Sequence, residues 1–244
     1  MSNNKVALVT GASRGIGAGI ARGLARDGFK ILVNYAGRTE AAQAVADEII
    51  RDGGDARIVQ ADVSDASAVA AMFNTGIQAF GGVDVVVNSA GIMRLAPIAD
   101  MTDDVVSETI AVNLKGTLNI CREAARRLRN DGRIINLSSS VIGMRLPTYG
   151  IYIATKAAVE GLTQVLAQEM RGRGVRVNAV APGPVATELF LSGKSPELLD
   201  RMTRMNPLER LAEAEDIARV VSFLAGPEGA WINGQVIRAN GGMC

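Results

Sequence analysis

The sequence predicts an α/β chain built on one doubly wound parallel sheet of about seven strands, with helices on both faces. Three observations carry that prediction. Short apolar runs alternate with longer helical patterns from end to end, and strand–helix units of this size close into parallel sheets through right-handed crossovers. Hydrophobic residues make up 48% of the chain but aromatic ones only 4%, so Val, Ile, Leu and Ala must fill the interior, as suits strands buried on both faces. Glycine-rich breaks at Gly53-Gly54, Gly81-Gly82 and Gly172 to Gly174 separate the units as helix caps or turns. No linker long enough to divide 244 residues appears, so one domain over residues 1–244 is expected.

The elements follow in order from periodicity. Lys5 to Thr10 reads as strand one and Ile16 to Asp27 as a helix. Lys30 to Tyr35 is strand two, and the Ala-rich Glu40 to Asp52 the next helix. Arg57 to Ala61 is strand three, Ala66 to Phe80 a helix, and Val83 to Asn88 strand four. One long helical stretch spans Asp103 to Arg129. Arg133 to Ser138 is strand five, and Tyr152 to Arg171 a helix that Tyr152 opens. Val175 to Val180 is strand six, Ala214 to Ala225 a helix, and Gln235 to Ala239 the last strand. The stretch Pro182 to Pro207 reads as irregular. Structureless segments of that length inside a compact domain tend to be functional, so a lid is expected over about 187–207.

Charge and composition exclude several functions. The 26 basic and 25 acidic residues nearly cancel, and no charge block stands out, so neither nucleic acid nor a membrane surface is an expected partner. Met1 to Lys5 is polar and leads straight into a strand, and no apolar run approaches the length of a membrane span. A soluble cytoplasmic protein is expected. Cys121 and Cys244 lie far apart, which argues for two unpaired thiols. The absence of histidine removes imidazole proton relays and His-liganded zinc, and no metal site is expected.

Two segments carry chemistry on their own residues. Gly11, Ser13, Arg14, Gly15, Ile16 and Gly17 follow strand one and open the first helix. Glycines there permit a tight turn and close backbone approach, while the helix N-terminus offers N–H groups to phosphate. An NAD site would place Asp or Glu at the end of strand two. That turn instead reads Asn34-Tyr35-Ala36-Gly37-Arg38. Arg14 and Arg38 near one ribose favour a 2′-phosphate through charge-assisted hydrogen bonds, so NADP(H) is expected over NAD(H). Tyr152 and Lys156 stand four apart on a helix, hence on one face. A nearby ammonium favours the phenolate and should lower the tyrosine pKa toward neutrality, where proton transfer is efficient.

Together these strings resemble the short-chain dehydrogenase/reductase family over about Lys5 to Gly242. The glycine loop resembles its T-G-x-x-x-G-x-G signature, and Tyr152 with Lys156 its Y-x-x-x-K. The resemblance implies a Rossmann-type fold. It implies that Asp62 and Val63 bound the adenine, and that Asn88, Ala90 and Gly91 match the N-N-A-G turn, with Ser89 where the family has a second Asn. It implies that Pro182, Gly183, Val185 and Thr187, matching P-G-x-V-x-T, hold the nicotinamide end. By the same resemblance Ser139 binds the substrate oxygen, with Ser138 or Ser140 as alternatives. Tyr152 donates the proton, Lys156 bonds the nicotinamide ribose, and Asn113 supports a proton-relay water. The implied activity is reduction of a ketone, aldehyde or 3-oxoacyl thioester, and 3-oxoacyl-[acyl-carrier-protein] reductases are the nearest type. A homotetramer is implied, with the helices flanking strand five at one interface. Glu188, Leu189, Phe190, Leu191, Met202 and Met205 of the lid would face Met93, Arg94, Ile142, Met144 and Leu146 across an apolar substrate site. Two alternatives stay open: a dinucleotide-binding regulatory or structural protein without turnover, and an NAD-preferring sugar or alcohol dehydrogenase.

Overall fold

Valine-rich runs with no polar alternation dictate the centre of the molecule. The computed structural model describes residues 5–244. The polar residues 1–4, on which part of the localisation argument rests, lie outside the described residues. Strand β1 (Val6–Val9) and strand β4 (Val85–Asn88) are buried at every position, as strands covered on both faces must be. Between them lie helix α1 (Gly15–Arg26), strand β2 (Lys30–Tyr35), helix α2 (Thr39–Arg51), strand β3 (Ala56–Gln60) and helix α3 (Ala66–Phe80). After β4 come a short 3₁₀ turn, helix α4 (Asp103–Thr109) and helix α5 (Thr117–Arg127), then strand β5 (Arg133–Leu137) and a short helix α6 (Val141–Met144). Helix α7 (Gly150–Glu169), strand β6 (Arg176–Pro182), helices α8 (Glu188–Leu191), α9 (Pro196–Arg204) and α10 (Ala214–Ala225), and strand β7 (Val236–Ala239) complete the chain.

The seven strands form one sheet in the order β3-β2-β1-β4-β5-β6-β7, and every pairing is parallel. The order reverses beside β1, which is where open α/β sheets bind ligands. One face packs against α1, α2 and α10 through Ile20, Leu24, Val45, Ile49, Ile217 and Val221. The other packs against α3, α5 and α7 through Met72, Phe73, Ile120, Ala124 and Leu166. Each such side chain withdrawn from water stabilises the fold by roughly 1.5–3 kcal/mol before chain entropy is counted. Cys121 is part of the second cluster, and burial pushes its thiol up to about 12, which keeps it unreactive. No helix of the described residues is long and apolar enough to cross a membrane.

Three features depart from the sequence expectation. The long helix after β4 is interrupted by a π-helical segment, Ile110–Gly116, between α4 and α5. Such a segment shifts the helical register locally and is frequent at functional sites; here Asn113 within it is fully buried. The stretch expected to be irregular contains α8 and α9. Their caps explain them: the Thr187 hydroxyl accepts from Phe190 N, and the Ser195 hydroxyl accepts from Leu198 N ahead of Pro196, a strong helix start. Helix α7 begins two residues early, at Gly150, so Tyr152 lies inside its first turn rather than opening it.

Candidate active site

Every strand's carboxyl end opens on the same rim, and the loops leaving that rim line one cleft of about 470 Å³. The glycine loop after β1 forms its floor. Gly11 has φ +61°, and a Cβ there would stand 2.8 Å from Ala90 Cα. A Cβ on Gly17 would stand 2.4 Å from the Gly11 carbonyl oxygen. Only glycine lets β1, β4 and α1 meet this closely. Helix α1 starts at Arg14 without a side-chain cap and has no acidic residue in its first turn, so its N-terminal N–H groups and positive dipole end face the cleft.

Polar side chains hold the loops in place. Thr10 Oγ1 accepts from Ser89 N at 3.1 Å and Ala90 N at 3.0 Å. Asn34, fully buried, accepts from Gly11 N at 3.3 Å and donates to Val59 O at 3.2 Å and Ala61 O at 3.1 Å. It therefore ties three loops together with both ends of its amide. Tyr35, Val63, Ala90, Gly91 and Ile16 line the cleft with Ser13, Gly15 and Asp62. Asp62 Oδ1 accepts from Ser64 N and Oγ. Asn88 departs from its expected place on the ligand: its amide points into the core and donates to Asn136 Oδ1 at 2.7 Å.

At the other end, Pro182, Gly183, Val185 and Thr187 leave β6 along the cleft wall. The three serines after β5 separate by geometry. Ser138 Oγ donates to Glu160 Oε1 at 2.7 Å, and Ser140 Oγ donates to Ala181 O at 2.8 Å. The Ser139 hydroxyl instead accepts from Val141 N at 3.4 Å and lines the cleft together with Tyr152. Tyr152 is half-buried at the cleft wall, with Tyr149 edge-on to it at 6.3 Å between ring centroids. Lys156, one turn on, is buried, and its Nζ donates to Leu137 O at 2.7 Å. Asn113 lies behind them. Its amide bonds both main-chain groups of Ile92, at 2.8 Å and 2.9 Å, and donates to Thr155 Oγ1 at 3.3 Å. The Thr155 hydroxyl donates to the Tyr152 carbonyl at 2.8 Å. Thr155 and Tyr149 were not signalled by any motif in the sequence, and Thr10 was signalled only as the first letter of the glycine-loop signature.

The electrostatics correct one expectation. Burial pushes the Tyr152 hydroxyl up to about 12, against the lowering effect of the Ser139 hydroxyl. Lys156 does not acidify it here, because the ammonium is held by the Leu137 carbonyl, with Nζ 5.8 Å from the phenol ring centroid. Burial pushes Lys156 down to about 8. At neutral pH Tyr152 is thus a proton donor beside a cation. Arg14 and Arg38 both pair with Glu188, which they hold down at about 2, Arg38 contributing most. Beside the cleft a second cavity of about 810 Å³ is walled by Met93, Arg94, Met144, Leu146, Leu189, Met202 and Met205. Among the described residues, no group of three or more His, Cys, Asp or Glu side chains could hold a metal ion.

The chain is similar to several known proteins. A family model described as enoyl-(acyl carrier protein) reductase matches residues 11–244. The chain is 46% identical to a "Short-chain type dehydrogenase/reductase" of Picea abies, over 98% of this chain and 92% of that one. It is 44% identical to a 3-oxoacyl-[acyl-carrier-protein] reductase of Staphylococcus aureus, over 100% of this chain and 99% of that one. Among solved structures, a short-chain dehydrogenase of Burkholderia cenocepacia in complex with NADP superposes with TM-score 0.94 at 38% identity, covering 99% of this chain and 98% of that one.

The buried Lys156 cation carries a stability prediction. Its pKa falls from the ordinary 10.5 to about 8 in the folded chain, so between those values the unfolded state binds more protons and stability rises with pH. Below pH 8 the charge opposes folding by about 3 kcal/mol, offset by roughly 1 kcal/mol of hydrogen bonding to Leu137. The Lys156→Met variant should therefore be more stable than the parent by about 2 kcal/mol at pH 7. The gain should vanish as pH rises from 8 to 10.5. Urea unfolding at the two ends of that range measures it; an equal or lower stability at pH 7 contradicts it.

Proposed function

Because the chain belongs to the short-chain dehydrogenase/reductase family of oxidoreductases, we propose that it is an NADP(H)-dependent carbonyl reductase in which Tyr152 donates the proton. The observation that carries this reading is that Ser139 and Tyr152 line one cleft wall, with Lys156 one helical turn behind Tyr152. A carbonyl oxygen between them accepts from both. That arrangement suits protonation of oxygen, which favours a ketone, aldehyde or 3-oxoacyl thioester over the carbon–carbon double bond that the family model's description names.

The residues fit a dinucleotide. The uncapped start of α1 supplies N–H groups for the pyrophosphate, and the contacts at Gly11 and Gly17 leave backbone exposed to it. Asp62 and Val63 would bound the adenine, and Ala90 and Gly91 the adenosine ribose. Val185 and Thr187 would hold the carboxamide end. When bound, NADPH supplies a hydride to the carbonyl carbon. Tyr152 gives its proton to the oxygen as negative charge develops there, and Ser139 stabilises that charge by hydrogen bonding. Lys156 holds its cation nearby and binds the nicotinamide ribose. Asn113 fixes the Ile92 main chain and, through Thr155, the backbone at Tyr152. The methionine-rich second cavity fits an apolar or acyl-chain substrate. The family resemblance implies a homotetramer with α5 and α7 at one interface, and Leu118 and Val165 are exposed on those helices.

Arg14 and Arg38 favour NADP(H) because their guanidiniums converge at the mouth of the adenosine end, where no carboxylate ends β2. The NADP complex of the Burkholderia cenocepacia relative supports the same choice.

Assays at 340 nm against ketones, aldehydes and acetoacetyl thioesters test the reading. Tyr152→Phe should lower kcat by about 10²- to 10⁴-fold while NADPH binding, followed by fluorescence, stays within about threefold; near-normal turnover would overturn the proton-donor role. The double change Arg14→Ala, Arg38→Ala should cut the ratio of kcat/KM for NADPH over NADH by about 10- to 100-fold. An unchanged ratio would favour the NAD-preferring alternative.

A further inference from the structure

We propose that Glu188 is a tethered competitor for the 2′-phosphate of the cofactor and sets how strongly the enzyme discriminates NADP(H) from NAD(H). The inference rests on reading Arg14 and Arg38 as the 2′-phosphate site, and it assigns the opposing group.

Three elements meet at this point. Arg14 comes from the glycine loop, Arg38 from the turn after β2, and Glu188 from the first position of α8. Arg14 Nη1 lies 2.6 Å from Glu188 Oε2. Arg38 approaches in a fork, with Nη1 3.0 Å from Oε2 and Nη2 3.2 Å from Oε1. Two guanidiniums thus hold one planar anion through the donors they would turn toward phosphate oxygens. The backbone that carries it is held in place, because Thr187 caps α8 immediately before it and lies beside Gly15. A tethered anion acts at a high effective concentration.

A ligand with a 2′-phosphate gains both arginines only by displacing Glu188. A ligand with a 2′-hydroxyl has no reason to displace it, and the carboxylate can accept that hydroxyl's hydrogen bond. Glu188 therefore weakens binding of the phosphorylated ligand alone. The three side chains are 44%, 53% and 58% exposed, so the opposition is modest and screened by salt. This role goes beyond cofactor contact: Glu188 acts through the arginines as a positioning residue.

Calorimetric titration of the full chain with adenosine 2′,5′-bisphosphate and with 5′-AMP tests it in the parent, in Glu188→Gln and in Arg14→Ala, Arg38→Ala. Glu188→Gln should bind the bisphosphate about fivefold tighter at low ionic strength and 5′-AMP within about twofold, with the gain fading near about 0.5 M salt. If the parent prefers the bisphosphate but Glu188→Gln does not tighten it, the competitor role is wrong and the arginine reading stands. Equal shifts for both ligands would mark Glu188 as merely structural and also overturn the proposal. If the parent shows no preference and the arginine variant changes nothing, the arginine reading fails and takes the proposal with it.

Discussion

Parallel pairing of seven strands is the constraint on which the rest depends. All strands run the same way, so each carboxyl end delivers its loop to a single rim. The glycine loop after β1, Arg38 after β2, Asp62 after β3, Ala90 after β4, Ser139 after β5 and Pro182 at the end of β6 come from distant stretches of sequence. They line or border one cleft because the sheet leaves them nowhere else to go. The burial of β1 and β4 at every position makes that geometry rigid, and rigidity is what a hydride-transfer site needs if two hydroxyls are to meet one oxygen.

Buried polar groups refine what the sheet places. Asn34, Asn113 and Thr10 each satisfy main-chain groups of neighbouring loops. An unmade hydrogen bond in such surroundings costs about 1–3 kcal/mol, so these ties define one arrangement of the rim. Lys156 works in the opposite sense. Its burial opposes folding, yet it stations a cation one turn from the phenol. A destabilising cation beside Tyr152 fits the proposed role, since sites that do chemistry can give up some stability.

Much of this was legible in the sequence because its signals are local. Val83 to Asn88 reads as a strand without help from its neighbours, and the glycine loop and the Tyr152/Lys156 pair carry their spacing with them. What was not legible depends on distant partners. Nothing around Asn113 announces a π-helical segment, and the groups that meet it there, the Ile92 main chain at Asn113 and the Val63 side chain at Gly116, lie far off in the sequence. Asn88 looks like a ligand group until Asn136, 48 residues on, claims its amide. Glu188 pairs with Arg38 across 150 residues, which no window of sequence can show. The helices of the lid are a different matter: Thr187 and Ser195-Pro196 are local start signals, which the reading of this stretch as irregular passed over. The acidity of Tyr152 was misjudged because spacing places Lys156 on the right face but says nothing of the Leu137 carbonyl that holds its ammonium.

The central claim is that Tyr152 hands its proton to the substrate oxygen. A crystal structure of the ternary complex with NADP⁺ and a bound alcohol tests it most directly. The account predicts the phenol oxygen at hydrogen-bond distance from the alcohol oxygen, about 2.7 Å, with Ser139 Oγ on the same atom. A phenol turned from that oxygen, with another acid or a water in its place, would contradict it.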